Sequence, residues 1–192
     1  RIDVTDRDAI QSAVESAQAT AGQIHILVNN AGINIRKEPQ ELSLDEWRSV
    51  LDTNLTSAFL CSQAVYPYMA ANGGGKIINI GSMMSIFGAA FAPAYASSKG
   101  GIVQLTKATA TAWAKHNIQV NAVLPGWIDT TLTREARLQV DGLHEKVESR
   151  TPAGRWGVPQ DLSGIAVFLA SAASDFVTGT AIPVDGGYSV QG

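Results

Sequence analysis

Short apolar runs alternate along this chain with longer stretches in which apolar residues recur every three or four positions. HILVNNAG (25–32), KIINIGS (76–82), NIQVNAVLPG (117–126) and TAIPVDGG (180–187) are each an apolar run that ends in small, polar or turn-forming residues. Such runs predict strands buried on both faces. RIDV (1–4) reads as the end of a further strand. Helical stretches lie between them. DRDAIQSAVESAQAT follows Thr5 and stops at Gly22, and residues 44–71 follow a Ser43/Glu46 capping box and close at NGGG. Residues 93–116 form the next helix, and DLSGIAVFLASAA after Pro159 the last.

Strands alternating with helices predict an α/β fold: a doubly wound, Rossmann-like parallel sheet between two helical layers, α/β/α. No repeat, low-complexity tract or linker interrupts the alternation, so residues 1–192 read as one domain. The exception to the pattern is the stretch from 128 to 150. Its charge density rises (Asp129, Arg134, Glu135, Arg137, Asp141, Glu145, Lys146, Glu148, Arg150) and its apolar periodicity fades. It is expected to be a surface excursion rather than a core layer, and with residues up to 157 it forms a candidate substrate loop.

Composition narrows the partners. With 14 Lys+Arg against 17 Asp+Glu, a net charge of −3 and no basic block, nucleic acid is not an expected partner. Cys61 is single and His25, His116 and His144 are scattered, so neither a disulfide framework nor a metal cluster is expected. No apolar run reaches the ~18 residues of a membrane span. Cytoplasmic residence and a small-molecule substrate are the expectations that remain.

In a doubly wound sheet, ligands bind beyond the carboxyl ends of the strands. The residues there are Asp3 and Val4, the Asn29-Asn30-Ala31-Gly32 run, Gly81-Ser82, and Pro125 to Thr130. Just past one of them, YASSKGG (95–101) sets Tyr95 and Lys99 four positions apart, on one face of a helix. A phenol with pKa ~10 exchanges protons poorly at neutral pH, and a neighbouring ammonium favours the phenolate. An ordinary amphipathic helix with a half-buried Tyr95 and a snorkelling Lys99 gives the same spacing. Ser82, thirteen residues before Tyr95, is placed to hydrogen-bond a substrate oxygen, or simply to end a strand. Asn54 lies inside a helix, where asparagine costs several tenths of a kcal/mol relative to alanine, so it needs a backbone partner or a function. Ala31 and Gly32 allow backbone to approach a flat ligand, or make a tight turn.

N-N-A-G at 29–32, the helical Asn54, Ser82 after a strand, Y-x-x-x-K at 95–99 and P-G-W-I-D-T at 125–130 occur in order. With R-W-G (155–157), S-D-F-V-T-G (174–179) and V-D-G-G (184–187), the chain resembles the short-chain dehydrogenase/reductase family from Arg1 almost to its end. The resemblance implies an NAD- or NADP-dependent oxidoreductase that moves a hydride between nicotinamide and a secondary alcohol or ketone. Tyr95 would be the general acid/base. Lys99 would lower its pKa and bind the nicotinamide ribose, Ser82 would hold the substrate oxygen, and Asn54 would anchor a water linking Lys99 to solvent. Asp3 and Val4 would contact adenine, and Asn30, Ala31 and Gly32 the ribose and backbone side of the cofactor. Pro125 and Gly126 would shape the floor, with Ile128 and Thr130 holding the carboxamide. Asn29 would tie neighbouring strands together. The helices at 43–71 and 93–116 would pack between subunits of a homotetramer.

The family's glycine-rich turn, T-G-x-x-x-G-x-G, has no match here. In the strand order 3-2-1-4-5-6, RIDV would end strand 3, and strands 1 and 2 with their diphosphate site are expected in a segment preceding Arg1. The choice between NAD and NADP stays open with them. INIRKEPQEL, KIINIGSMMS, WAKHNIQVNA and RTPAGRWG are most similar to the sugar-acid branch, gluconate 5-dehydrogenases and 2-deoxygluconate 3-dehydrogenases. Arg36 and Arg155, with Lys37 and Arg150, are the candidate cations for a substrate carboxylate. A 3-oxoacyl thioester reductase is the alternative activity, and an inactive cofactor-fold fragment serving as an interaction module is the alternative of another class.

Overall fold

The computed structural model describes residues 1–191, apart from the side chain of Leu132. Its described strands are β1 (Ile26–Asn29), β2 (Gly75–Ile80), β3 (Ile118–Pro125) and β4 (Ala181–Val184), all parallel in the order β1-β2-β3-β4. Helices α1 (Arg7–Ala21), α2 (Leu44–Leu51), α3 (Ser57–Ala71), α4 (Pro93–Trp113) and α7 (Ser163–Ala170) connect and cover them. The chain is the expected three-layer, Rossmann-like α/β/α fold.

Alternate residues along each strand feed different layers. Ile77 and Val120 pack with Val65 and Met69 of α3 and Ala110 of α4. Ile78 and Val123 pack with Leu169 of α7 on the opposite face. β3 is buried from Ile118 through Leu124, as a strand covered on both faces must be. The strands are further joined by amides: Asn29 Nδ2 donates to Asn79 Oδ1 at 2.8 Å and to Ser62 Oγ at 3.1 Å. That is the strand-tying role expected of Asn29.

Local signals set the helix ends. Asp6, rather than Thr5, caps α1 through the Asp8 and Ala9 amides, and Gly22 closes the helix at φ 78°. The Ser43/Glu46 capping box forms as expected. The helix it opens is not uniform, however, because Asp52–Thr56 form a π-turn between α2 and α3. Beside it, a Cβ on Gly101 would lie 2.6 Å from Leu55 Cδ2, so a larger residue there obliges the Leu55 side chain to shift where α4 passes the π-turn. Gly100, one position earlier, faces open space.

Two expectations are corrected. Arg1–Val4 form no strand; Asp3 instead closes a local turn, its carboxylate accepting from the Thr5 amide at 2.9 Å and hydroxyl at 2.8 Å. Among the described residues no strand pairs with this segment, and Asp3 O instead accepts from the Asp6 amide at 3.3 Å. The excursion after β3 is also more ordered than its charge pattern suggests. It folds into α5 (Thr131–Gln139) and α6 (Leu143–Arg150), which enclose a small core of Ala136, Leu143, Val147 and Trp156. Its two ends meet where Ile128 bridges Gly157 and the Asp129 amide donates to Gly157 O at 2.8 Å.

Candidate active site

The carboxyl ends of β1, β2 and β3 open onto one cleft of about 340 Å³. Asn30, Gly32, Ser82, Tyr95, Lys99, Pro125, Gly126, Ile128 and Thr130 all reach it. A smaller annex shares Ser82, Tyr95, Pro125 and Gly126 with the cleft and adds Asn34, Arg36, Met84, Phe91 and Trp127. The parallel sheet makes this convergence: strands that run the same way deliver their terminal loops to the same edge.

Pro93 opens α4, and its first turns carry Tyr95 and Lys99. The Lys99 ammonium is 4% exposed, lies 5.6 Å from the Tyr95 ring centroid and donates to Ile80 O at 2.7 Å. Burial brings its pKa down to about 8. Burial pushes the Tyr95 phenol up, while its hydrogen bond to Ser82 and the Arg36 charge pull it down. On balance the phenol is raised rather than lowered as expected, and the pulls that oppose burial come from Ser82 and Arg36, not from Lys99. Ser82 Oγ accepts from the Met84 amide at 3.1 Å, capping the short 3₁₀ turn Met83–Ser85.

Asn54 stands in the π-turn, 2% exposed, and all its polar atoms are engaged. Its Nδ2 donates to Ile33 O at 2.9 Å and Ser98 Oγ at 3.0 Å, and its Oδ1 accepts from the Ile33 amide at 2.8 Å. The backbone partner that a helical asparagine needs is therefore the loop after β1. Ser98 was not anticipated as part of the site, although it sits inside the YASSKGG stretch. Thr133 was missed too. Its hydroxyl donates to Ile128 O at 2.6 Å and accepts from the Thr130 amide at 2.9 Å, fixing the cleft wall. The T-x-x-T spacing at 130–133 was its signal.

Other expected contacts fall elsewhere. Asp3, Val4 and Ala31 do not line the cleft. Arg36 lines the annex, and its Nη1 donates to Gln139 Oε1 at 3.2 Å. Lys37 pairs with Glu46, whose carboxyl is held at about 2 by that bond and by the Ser43 amide. Arg155 walls a separate cavity of about 250 Å³ and binds Asp161 through both nitrogens, at 2.8 and 3.0 Å. A carboxylate six residues away already satisfies its planar fork, so it is not delivered to Tyr95. Arg150 lies over the Tyr188 and Phe87 rings, at 4.4 and 5.3 Å.

The cleft fits the nicotinamide half of a dinucleotide. Lys99 is a buried cation with three donors and, among the described residues, the single hydrogen-bond partner Ile80 O, so two donors remain for ribose hydroxyls. A Cβ on Gly32 would stand 3.6 Å from both Lys99 Nζ and Asn54 Oδ1, filling the space above them. A parallel sheet, a cleft at its carboxyl edge and a Ser-Tyr-Lys set with a supporting Asn define a class of dehydrogenase.

A sequence-family model described as enoyl-(acyl carrier protein) reductase matches residues 1–189, and the chain belongs to the short-chain dehydrogenase/reductase family of oxidoreductases acting on CH–OH groups. Among particular relatives, it is 47% identical over 187 residues to the 2-dehydro-3-deoxy-D-gluconate 5-dehydrogenase of Dickeya dadantii, covering 97% of this chain and 74% of that one. It is 45% identical to the 5-keto-D-gluconate 5-reductase of Escherichia coli, covering 97% and 73%. The crystal structure of a gluconate 5-dehydrogenase from Burkholderia cenocepacia in complex with NADP and tartrate matches with a TM-score of 0.94 at 41% identity, covering 98% and 73%.

Proposed function

We propose that this chain interconverts a secondary alcohol and a ketone on a gluconate-type sugar acid, with NADP(H) or NAD(H) as hydride carrier. The observation that carries the reading is the annex in which Arg36 stands with Tyr95 and Ser82. It supplies a cation for a carboxylate beside a proton-transfer pair. The relatives that act on gluconate derivatives support the same substrate class.

A nicotinamide held there would supply or accept the hydride at the substrate carbon. Lys99, Asn30 and Gly32 would hold its ribose side, and Ile128 and Thr130 its carboxamide. In reduction, the Ser82 hydroxyl donates a hydrogen bond to the ketone oxygen and Tyr95 passes its phenolic proton to that oxygen. In oxidation, the phenolate takes the alcohol proton back. The Ser82 hydroxyl and the Arg36 charge favour the phenolate form, and Asn54 fixes the Ile33 loop behind Lys99. Arg36 binds the carboxylate end.

NADPH and NADH oxidation with 5-ketogluconate, a neutral polyhydroxy ketone and a 3-oxoacyl thioester tests the reading. The expected result is turnover of the sugar acid, with Arg36→Ala raising KM for it and leaving the neutral ketone unaffected. Turnover of the thioester alone would reassign the substrate. Failure to bind either dinucleotide would return the chain to an interaction module. The same reading takes the chain as one catalytic domain with residues 128–157 as its substrate loop, active in the cytoplasm as a homotetramer. Exposed Phe59 on α3 and the outward Ala108 and Ala112 on α4 offer the contact surface, and light scattering measures the assembly.

A further inference from the structure

We propose that Ser85 is a positioning residue: its hydroxyl holds Ser82 in register with Tyr95 by tying the Ser82 backbone to the helix that carries Tyr95 and Lys99. The inference rests on the acid–base reading above. Ser85 ends the 3₁₀ turn Met83–Ser85 and lines neither the cleft nor its annex. Its Oγ donates to Lys99 O at 2.7 Å and accepts from the Ser82 amide at 3.2 Å. A carbonyl has two lone pairs, so Lys99 can accept this bond within an intact helix.

The strand end is thereby joined to α4 at two points. Lys99 Nζ holds Ile80 O, and Ser85 Oγ holds the Ser82 amide two residues further on. The second junction alone reaches the residue whose hydroxyl meets Tyr95. Ser82 Oγ also accepts from the Met84 amide in the same turn, so a slip of the turn moves the backbone and the hydroxyl of Ser82 together. Misplacing a reacting group by about 1 Å costs as much as ~10²-fold in rate.

The test compares wild type, Ser85→Ala, Ser85→Cys, Ser85→Thr and Tyr95→Phe in the full chain. It measures kcat and KM, NADPH affinity by fluorescence, and the pH–rate profile of alcohol oxidation. Ser85→Ala is expected to lower kcat about tenfold and to leave NADPH affinity unchanged. Its profile is expected to move to higher pH, because the Ser82 hydrogen bond is one of the two pulls that lower the phenol. The other charged groups around Tyr95 are Lys99 on its own helix and Arg36, with Glu135 beside Arg36, and all are intact in the variant. Ser85→Thr keeps the hydroxyl and is expected to keep the rate. Ser85→Cys, a similar shape but a weaker donor, should fall between.

Wild-type kcat in Ser85→Ala would overturn the inference. So would a lower kcat with an unshifted profile and equal loss in Ser85→Thr, the outcome for a residue that only stabilises the turn. If wild type turns over nothing, or Tyr95→Phe is fully active, the acid–base reading fails and the role of Ser85 falls with it.

Discussion

The wall that carries Tyr95 and the helical hairpin that follows β3 border the same cleft but are built from opposite materials. In the wall, Asn54 and Lys99 are 2% and 4% exposed, and their polar atoms bond to backbone from other elements. Strand ends, the π-turn and α4 fix one another there. The hairpin has its own four-residue core, and an ion cluster in which Asp129 pairs with Arg134 and Arg137. Arg137 stacks at 4.2 Å on Trp156, and Leu138 projects 87% exposed. Proton transfer tolerates little displacement, so its groups sit where the main core over-determines them. The proposed substrate loop stands on a small, separately packed unit whose two ends meet at Ile128 and Gly157.

That contrast can be broken at several points. Tyr95→Phe removes the proton donor with little change in packing and is expected to lower kcat by about 10²–10⁴. Steady-state kinetics measure it, and retained turnover would defeat the mechanism. Asn54→Ala strands the Ile33 backbone groups and should cost about 1–3 kcal/mol, read by denaturant unfolding. Gly101→Ala drives a methyl against Leu55 and should cost a similar ~1–3 kcal/mol, which would show that the closeness of α4 to the π-turn is a stability feature of the wall.

Lys99 sharpens the comparison through pH. Its pKa is about 8 in the fold against 10.5 for the free side chain. Between these values the unfolded chain carries more protons than the native one, so stability rises with pH through that window. Thermal melts should therefore show wild type gaining on Lys99→Met as pH rises from 8 to 10.5. A constant gap would mean that the ammonium is not desolvated. The smallest effect belongs to the hairpin. Arg137→Ala loses a partly exposed ion pair and a ring contact, about 1 kcal/mol together. It should raise KM for a sugar acid while leaving NADPH affinity alone.

Much of the site could be read before folding because its signals are local. The spacing of Tyr95 and Lys99 places them on one helical face, and Ser43 with Glu46 announces a helix start. Apolar runs ending in NNAG, GS and PGWIDT mark the loops at the sheet edge. The misreadings share one cause, which is that each depended on a partner distant in the chain. RIDV looks like a strand, but among the described residues no strand pairs with it. Residues 44–71 look like one helix until Asn54 reaches Ile33 and Ser98. Arg155 looks like a substrate cation until Asp161 closes on it. Gly100 and Gly101 look alike until Leu55 distinguishes them.

The sequence by itself determined the α/β alternation and the four parallel strands, because periodicity and capping act within a few residues, and its resemblance to a known family pointed to the Ser-Tyr-Lys set with its Asn. Only the tertiary structure decided that Asn54 sits in a π-turn, that Ser82 and Arg36 supply the pull on Tyr95, and that Ser85 and Ser98 belong to the site. Each of these rests on a hydrogen bond or a charge between segments at least several residues apart, and such a contact exists only once the sheet has brought its loops to one edge.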